Sequence, residues 1–250
     1  MNAPLDGKVA IVTGASRGLG RSMASQLSAA GASLVVASRS TVDLKSFVTE
    51  TEALGRRALA VPCDVSDEDS VQAMVAAAVQ EFGRLDIVVN NAGVVYTSPL
   101  LDQTSDAWDR VIDTNLRGVY LVTRAAGPHL IAQGSGKVIN IASNFALMGV
   151  SQHTAYTSSK AAIIAFTQSL AVEWARHNIQ VNALAPGYFE TDINTELRAN
   201  AAVHTVLRRI PARRMGRAEE LGPWVQLLAG PASDFMTGST IVIDGGHSVQ

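Results

Sequence analysis

The 250-residue sequence contains little of several residue types, and each shortage excludes a class of protein. A single cysteine, Cys63, excludes an intrachain disulfide and any metal site built from clustered cysteines. Charged residues make up only 17% of the chain and the formal net charge is −2, so there is no electrostatic basis for nucleic-acid binding. No apolar run approaches the roughly 18 residues that span a membrane, and no basic and apolar signal segment is visible at the start. We therefore expect a cytoplasmic protein.

What the sequence does contain is an alternation of short β-branched runs with alanine-rich amphipathic stretches. This alternation is typical of βαβ units. It predicts an α/β protein that forms a single doubly wound domain over 1–250. We expect a doubly wound, seven-stranded parallel sheet with helices on both faces, and long helices at about 105–132 and 155–176. The predicted strands are Val9–Val12, Leu34–Ala37, Ala58–Val61, Ile87–Val89, Lys137–Ile141, Ile179–Ala183 and Thr240–Ile243.

A glycine-rich turn follows the first predicted strand and opens a helix. Its glycines are Gly14, Gly18 and Gly20. Glycine permits torsions and a close approach that a Cβ would block, and a helix N-terminus offers free N–H groups to a pyrophosphate. A plain strand-to-helix turn is the alternative, but the position after the first strand favours a dinucleotide site.

The residues near this turn bear on the choice of cofactor. The second strand ends at Ser38, where an acidic residue would bind the ribose 2′-hydroxyl of NAD(H). Arg39 follows instead, and Arg17 lies inside the glycine turn. Guanidinium groups match phosphate geometry, so NADP(H) is favoured. NAD(H) stays open as the alternative if Arg39 stacks on adenine or points to water.

Tyr156 and Lys160 are spaced to share one face of a predicted helix. A cation beside a phenol lowers its pKa from about 10 toward neutrality, where it can exchange a proton with an alcohol or a carbonyl. Ser143 lies upstream at the end of a strand. Each of these residues alone is ordinary, as a surface pair or a turn serine, but their joint order indicates a redox enzyme.

The motifs together resemble the classical short-chain dehydrogenases/reductases from Lys8 to Gly245. The resemblance implies a single dinucleotide-binding catalytic domain over 1–250 with a Rossmann fold. The resemblance implies that Ser143 binds the substrate oxygen and that Tyr156 transfers the proton. Lys160 would hold the nicotinamide ribose and lower the pKa of Tyr156. Asn115 would interrupt its helix and hold a water that links Lys160 to solvent.

The resemblance also implies a set of cofactor contacts and no metal. The adenine would lie against Asp64 and Val65, the adenosine ribose near Asn91 and Gly93, and the nicotinamide carboxamide against the last two residues of the set. The set is Gly14, Ser16, Arg17, Gly18, Leu19, Gly20, Arg39, Asp64, Val65, Asn91, Ala92, Gly93, Tyr156, Lys160, Pro186, Gly187, Phe189 and Thr191.

The substrate is less well defined. The sequence resembles bacterial 3-oxoacyl-[acyl-carrier-protein] reductases and related carbonyl reductases. An acidic carrier protein favours exposed basic residues at the entrance, yet the turn before Lys137 is poor in charge and His177 stands where a basic residue is common. We therefore expect a small or medium ketone, with the carrier-protein reductase as the alternative and a non-catalytic NADPH-binding regulator as a remote one. A mostly apolar pocket is expected from Tyr96, Asn144, Phe145, Ala146, Leu147, Tyr188 and Phe189.

Two further expectations concern assembly and the substrate side. The resemblance implies a homotetramer built on the two long helices and the last strand. A less regular stretch over about 188–217 is the expected substrate loop. It is either a solvated or subunit-facing basic surface, or a mobile lid with an arginine for an anionic group. Its arginines include Arg208, Arg209, Arg213, Arg214 and Arg217.

Overall fold

Seven parallel strands form one sheet in the order β3-β2-β1-β4-β5-β6-β7. The structure is a computed structural model that describes residues 3–191 and 202–250. The strands are β1 Val9–Thr13, β2 Ser33–Ser38, β3 Ala58–Pro62, β4 Ile87–Asn90, β5 Gly136–Ile141, β6 Ile179–Pro186 and β7 Thr240–Ile243. The helices are α1 Gly18–Ala29, α2 Val42–Ala53, α3 Glu68–Phe82, α4 Ser105–Ile112, α5 Gly118–Gln133, α6 Thr154–Trp174, α7 Ala202–Arg209 and α8 Gly222–Ala229.

Helices cover both faces of the sheet, which explains why the strands read as continuous apolar runs. Ala10 and Val12 of β1 face one core with Met23 of α1, while Ile11 faces the other core with Leu121 of α5. Successive side chains of a strand point to opposite faces, so both cores draw on the same strand. The predicted doubly wound Rossmann fold is confirmed.

The sheet order reverses direction at β1, which pairs with β2 on one side and β4 on the other. In open α/β sheets, ligands bind beyond the carboxyl ends of the strands at such a point. The loops that follow β1, β4, β5, β6 and β7 all leave at this edge because the strands are parallel.

Two predicted segments differ in detail from the structure. The helix expected over 105–132 is divided into α4 and α5 by a π-helical segment, Asp113–Arg117. The expected substrate loop over 188–217 includes residues 192–201, which lie outside the described residues, and its second half contains α7. Within the described ranges, no helix is long and apolar enough to cross a membrane.

Candidate active site

Ser143, Tyr156 and Lys160 lie together at the carboxyl edge of the sheet. Ser143 follows β5, and its hydroxyl is hydrogen-bonded to that of Tyr156 in the first turn of α6. The Lys160 Nζ lies 5.8 Å from the centroid of the Tyr156 ring and donates to the Ile141 carbonyl at 2.7 Å. Two hydroxyls are therefore presented to one point, with a buried cation behind them.

Burial governs the protonation of both titratable groups. It raises the pKa of Tyr156, an effect that the hydrogen bond from Ser143 opposes and the neighbouring Tyr188 reinforces. Burial also lowers the pKa of Lys160 to about 8. The expected lowering of the Tyr156 pKa by Lys160 stays a prediction, because here the Lys160 ammonium donates to the Ile141 carbonyl and lies near the Tyr156 ring. Tyr156 is a protonated phenol at neutral pH.

Asn115 lies in the π-helical segment and ties the loop after β4 to α6. Its Oδ1 accepts from the Val94 N–H at 2.8 Å, and its Nδ2 donates to the Val94 carbonyl at 2.9 Å and to Ser159 Oγ at 3.1 Å. Ser159 in turn donates to the Tyr156 carbonyl at 2.7 Å. These bonds occupy the side-chain amide of Asn115. The expected water that links Lys160 to solvent would therefore have to bind a backbone group, and this relay stays a prediction.

Gly93 lies close to Asn115 and Lys160, and its expected contact near the adenosine ribose stays a prediction. A Cβ on Gly93 would lie 3.3 Å from Asn115 Oδ1 and 3.6 Å from Lys160 Nζ. Its missing side chain therefore leaves room beside Lys160.

The glycine turn after β1 is shaped by close backbone approach. Gly14 and Gly18 have φ of 64° and 57°, the left-handed region that favours glycine. A Cβ on Gly20 would lie 2.3 Å from the Gly14 carbonyl oxygen. α1 begins at Gly18, and the side chain of its N-cap residue, Arg17, does not cap the first turn. The backbone N–H groups of the first turn of α1 suit the pyrophosphate of a dinucleotide. Ser16 and Leu19 lie on either side of this helix N-terminus.

Asn91 braces this turn instead of facing a ribose with its side chain. Its Nδ2 donates to the carbonyls of Thr13 and Gly14 at 2.9 and 3.1 Å. Thr13 Oγ1 accepts from the N–H groups of Asn91 and Ala92 at 3.0 and 3.1 Å. Thr13 was not predicted, and its role follows from the pairing of β1 with β4.

The expected adenosine end is polar and charged. Asp64 Oδ1 accepts from the Ser66 hydroxyl and N–H at 2.7 and 3.0 Å. The pKa of Asp64 is lowered by the Ser66 hydroxyl first and also by the charge of Arg39. Val65 packs against Gly118, where a Cβ would come within 2.8 Å of Val65 Cγ2. Arg39 itself is exposed.

The segment after β6 spans the expected nicotinamide end. Pro186 ends β6, and the Gly187 N–H donates to the Ile243 carbonyl at 2.9 Å. A Cβ on Gly18 would lie 3.6 Å from Thr191 Cβ, so Thr191 reaches the pyrophosphate turn. The ring of Phe189 is buried against Gly216, so a carboxamide contact would have to come from the Phe189 backbone.

A wall of aromatic and polar side chains stands next to the Tyr156 hydroxyl. The Phe145 ring packs edge-on against Tyr156 and Tyr188, with centroids 6.2 and 5.8 Å away. Asn144 Nδ2 lies 3.1 Å from His247 Nδ1, and the Tyr188 and His247 rings are 5.8 Å apart. The pocket is therefore more polar than expected. Leu147, expected to line it, is half exposed.

His247 was missed as a site residue. The signal that could have indicated it is Asp244, which organises the turn after β7. Asp244 accepts from the Gly246 and Ser248 N–H groups at 2.9 and 2.8 Å and from Asn144 Nδ2 at 3.3 Å. These bonds fold the segment after β7 back onto the end of β5. Nowhere in the described ranges do three or more His, Cys, Asp or Glu side chains form a group that could hold a metal ion.

Known proteins resemble this chain in sequence and in structure. A family profile described as short chain dehydrogenase matches residues 8–202. The chain is 42% identical over 244 residues to 2-dehydro-3-deoxy-D-gluconate 5-dehydrogenase of Escherichia coli (strain K12), covering 97% of this chain and 96% of the relative. It is 38% identical over 242 residues to 3-oxoacyl-[acyl-carrier-protein] reductase FabG of Thermotoga maritima, covering 97% and 98% of the two chains.

A solved structure supports the same assignment. The gluconate 5-dehydrogenase from Burkholderia cenocepacia J2315, in complex with NADP and tartrate, superposes with a TM-score of 0.95 at 36% identity, covering 100% of this chain and 98% of the other. Fold, motifs and relatives agree. The chain therefore belongs to the classical short-chain dehydrogenases/reductases and is an oxidoreductase acting on CH–OH and C=O groups.

Proposed function

We propose that the protein catalyses the NADP(H)-dependent reduction of a small or medium ketone to a secondary alcohol, and the reverse oxidation. The observation that carries this proposal is the hydrogen bond between the Ser143 and Tyr156 hydroxyls, with Lys160 buried behind the ring. Both hydroxyls can bind one carbonyl oxygen and stabilise the charge that develops on it.

The proton path follows from the same geometry. A bound nicotinamide supplies the hydride. Tyr156 is protonated at neutral pH and gives its proton to the carbonyl oxygen, which becomes the alcohol. Lys160 stabilises the phenolate that remains and can hold ribose hydroxyls beside Gly93, and Asn115 fixes the backbone around both residues.

NADP(H) is the proposed cofactor. Arg17 and Arg39 are both exposed at the adenosine end, and in the described part of the chain neither donates a hydrogen bond to a carboxylate. Both are therefore free to bind a 2′-phosphate. NAD(H) is the alternative, and the relative strength of binding of the two cofactors decides between them.

For the substrate, we propose ketones of sugar acids as the first compounds to test. The names of the Escherichia coli and Burkholderia cenocepacia relatives refer to such compounds. The second candidate is a 3-oxoacyl group on an acyl carrier protein. It is favoured by the Thermotoga maritima relative and by the arginines on and after α7, which suit an acidic partner.

The test is a panel of ketones, keto acids and 3-oxoacyl thioesters, free and carrier-bound, assayed separately with NADPH and NADH. We expect turnover with NADPH, and loss of that turnover in Y156F with NADPH binding retained. Unchanged turnover in Y156F would contradict the mechanism. NADPH binding without turnover of any compound would favour the non-catalytic regulator.

We further propose a homotetramer. Tyr120 on α5 is 44% exposed and Val172 on α6 is 83% exposed, so both long helices present apolar surface. Light scattering should give four times the 26.3 kDa chain mass, and a monomer would contradict the proposal.

A further inference from the structure

The segment after α7 is fixed to the substrate side of the site by backbone pairing. The Ala212 N–H donates to the Gly245 carbonyl at 3.0 Å, and the Gly216 N–H donates to the Tyr188 carbonyl at 2.9 Å. The Glu190 N–H returns a bond to the Gly216 carbonyl at 2.8 Å. These bonds hold the C-terminal end of α7 above the wall that contains Tyr188.

The arginines of this segment are not equivalent. Glu220 accepts from Arg214 at 2.7 and 2.8 Å and from Arg217 at 3.4 Å, so these two guanidiniums share its single negative charge. Arg208 and Arg213 donate to backbone carbonyls of neighbouring residues. Each of these four arginine side chains therefore donates a hydrogen bond to another group of the protein.

Arg209 is the exception at the end of α7. In the part of the chain that the structure describes, its side chain has no hydrogen-bond or ion-pair partner. Its charge nevertheless acts on the wall. Burial raises the pKa of Tyr188 and Arg209 opposes this, while burial lowers the pKa of His247 and Arg209 adds to the effect, against Asp244.

His247 is oriented to donate a hydrogen bond. The Asn144 amide nitrogen also contacts a carboxylate oxygen of Asp244 at 3.3 Å, which fixes it as the donor side of the amide. His247 Nδ1, 3.1 Å away, then accepts, and the ring proton is on Nε2. A cation and a neutral N–H donor therefore occupy the same wall.

We propose that Arg209, together with His247, binds a carboxylate of the substrate. The inference rests on the proposed ketone reduction and adds the substrate class, a keto acid. A guanidinium binds a carboxylate through two parallel hydrogen bonds. Within this wall, the Phe145 ring contacts both Tyr188 and the proton donor Tyr156, with centroids 5.8 Å from Tyr188 and 6.2 Å from Tyr156. We therefore expect the carboxylate to lie several carbon atoms from the ketone, so that a 2-oxo acid is a poor substrate.

The test compares 5-oxohexanoate with its neutral amide, and with 2-oxohexanoate, in reduction by NADPH. We expect the wild type to have a kcat/KM for 5-oxohexanoate about 10- to 100-fold higher than for the amide, the effect of hydrogen bonds to a charged group. In R209Q this ratio should fall at least about tenfold, with R209K retaining part of it. R208Q, on the same helix, is the matched control and should keep the wild-type ratio.

Binding to the NADP⁺-saturated protein, measured by calorimetry, separates this inference from the proposed function. Loss of 5-oxohexanoate binding in R209Q but not in R208Q supports the carboxylate site even if no ketone is reduced. Equal binding and equal ratios in wild type and R209Q overturn the carboxylate site while leaving ketone reduction intact. Preference for 2-oxohexanoate would also overturn it. Arg209 is exposed, so the variant is expected to fold, which circular dichroism verifies.

Discussion

At the scale of single residues, the site shows how burial without a charged partner sets protonation. Tyr156 and Lys160 are neighbours on α6. Burial raises the pKa of Tyr156 and lowers the pKa of Lys160, and both shifts favour the neutral form of the group. A protonated phenol suits reduction, and alcohol oxidation would require the phenolate, which forms at higher pH. Burial of the Lys160 ammonium costs folding free energy, and this cost falls at a candidate catalytic position.

This cost predicts a pH dependence of stability. The pKa of Lys160 is about 8 in the folded chain against 10.5 as its ordinary value, so between these values the unfolded chain binds more protons. Stability from this group therefore rises as pH increases. Relative to K160M, the wild type should gain about 2 kcal/mol in free energy of unfolding between about pH 7 and pH 9.5. Urea unfolding of both proteins measures it, and parallel pH profiles would contradict it.

At the scale of elements, the strand–turn–helix unit β1–α1 depends on the absence of one side chain. A Cβ on Gly20 would lie 2.3 Å from the Gly14 carbonyl oxygen and 2.4 Å from Asn91 Nδ2. Both contacts are with the turn or its brace, so the turn itself has to move. Its N–H groups would then no longer point at a common site.

We therefore predict that G20A weakens NADPH binding at least about tenfold, the effect of losing one hydrogen bond to a charged group. The matched control is G149A, because a Cβ on Gly149 would meet nothing within 4 Å. Fluorescence titration with NADPH measures both. Equal dissociation constants would show that the turn does not hold the cofactor.

Sequence reasoning was most successful for elements, where the hydrophobic pattern is local. The strand runs predicted the fold, and the motif resemblance predicted the helix break at Asn115. It placed Asn144, Phe145 and Tyr188 at the pocket but missed His247, because Asn144 and His247 meet across 103 residues of sequence. Nor could it single out Arg209, since the distinction depends on which neighbouring arginines are paired with Glu220 in three dimensions.

At the scale of the whole molecule, the expected cofactor site extends across the point where the sheet reverses. Its adenosine end involves loops after β1, β2 and β3, and its reacting end involves loops after β4, β5 and β6. Because a bound cofactor would contact both halves, it should stabilise the entire fold.

We predict that NADPH at about 100 times its dissociation constant adds about 2.7 kcal/mol and raises the melting temperature by roughly 5 to 10 °C. NADH at the same concentration should give a smaller shift. R39A should reduce the NADPH shift toward that value, whereas R176A, at the opposite edge of the sheet, should not. An undiminished shift in R39A would remove Arg39 from the cofactor argument.

The order of the strands also has a consequence for how the chain folds. β1, β2, β3 and β4 are adjacent in the sheet and come first along the chain, so they can pair with one another before β5 to β7 join. A nascent or partly folded chain would then hold the adenosine end of the cofactor before Ser143, Tyr156 and His247 are in place. We expect such an intermediate to bind adenosine 2′,5′-bisphosphate while having no reductase activity, so nucleotide recognition is acquired before catalysis during folding.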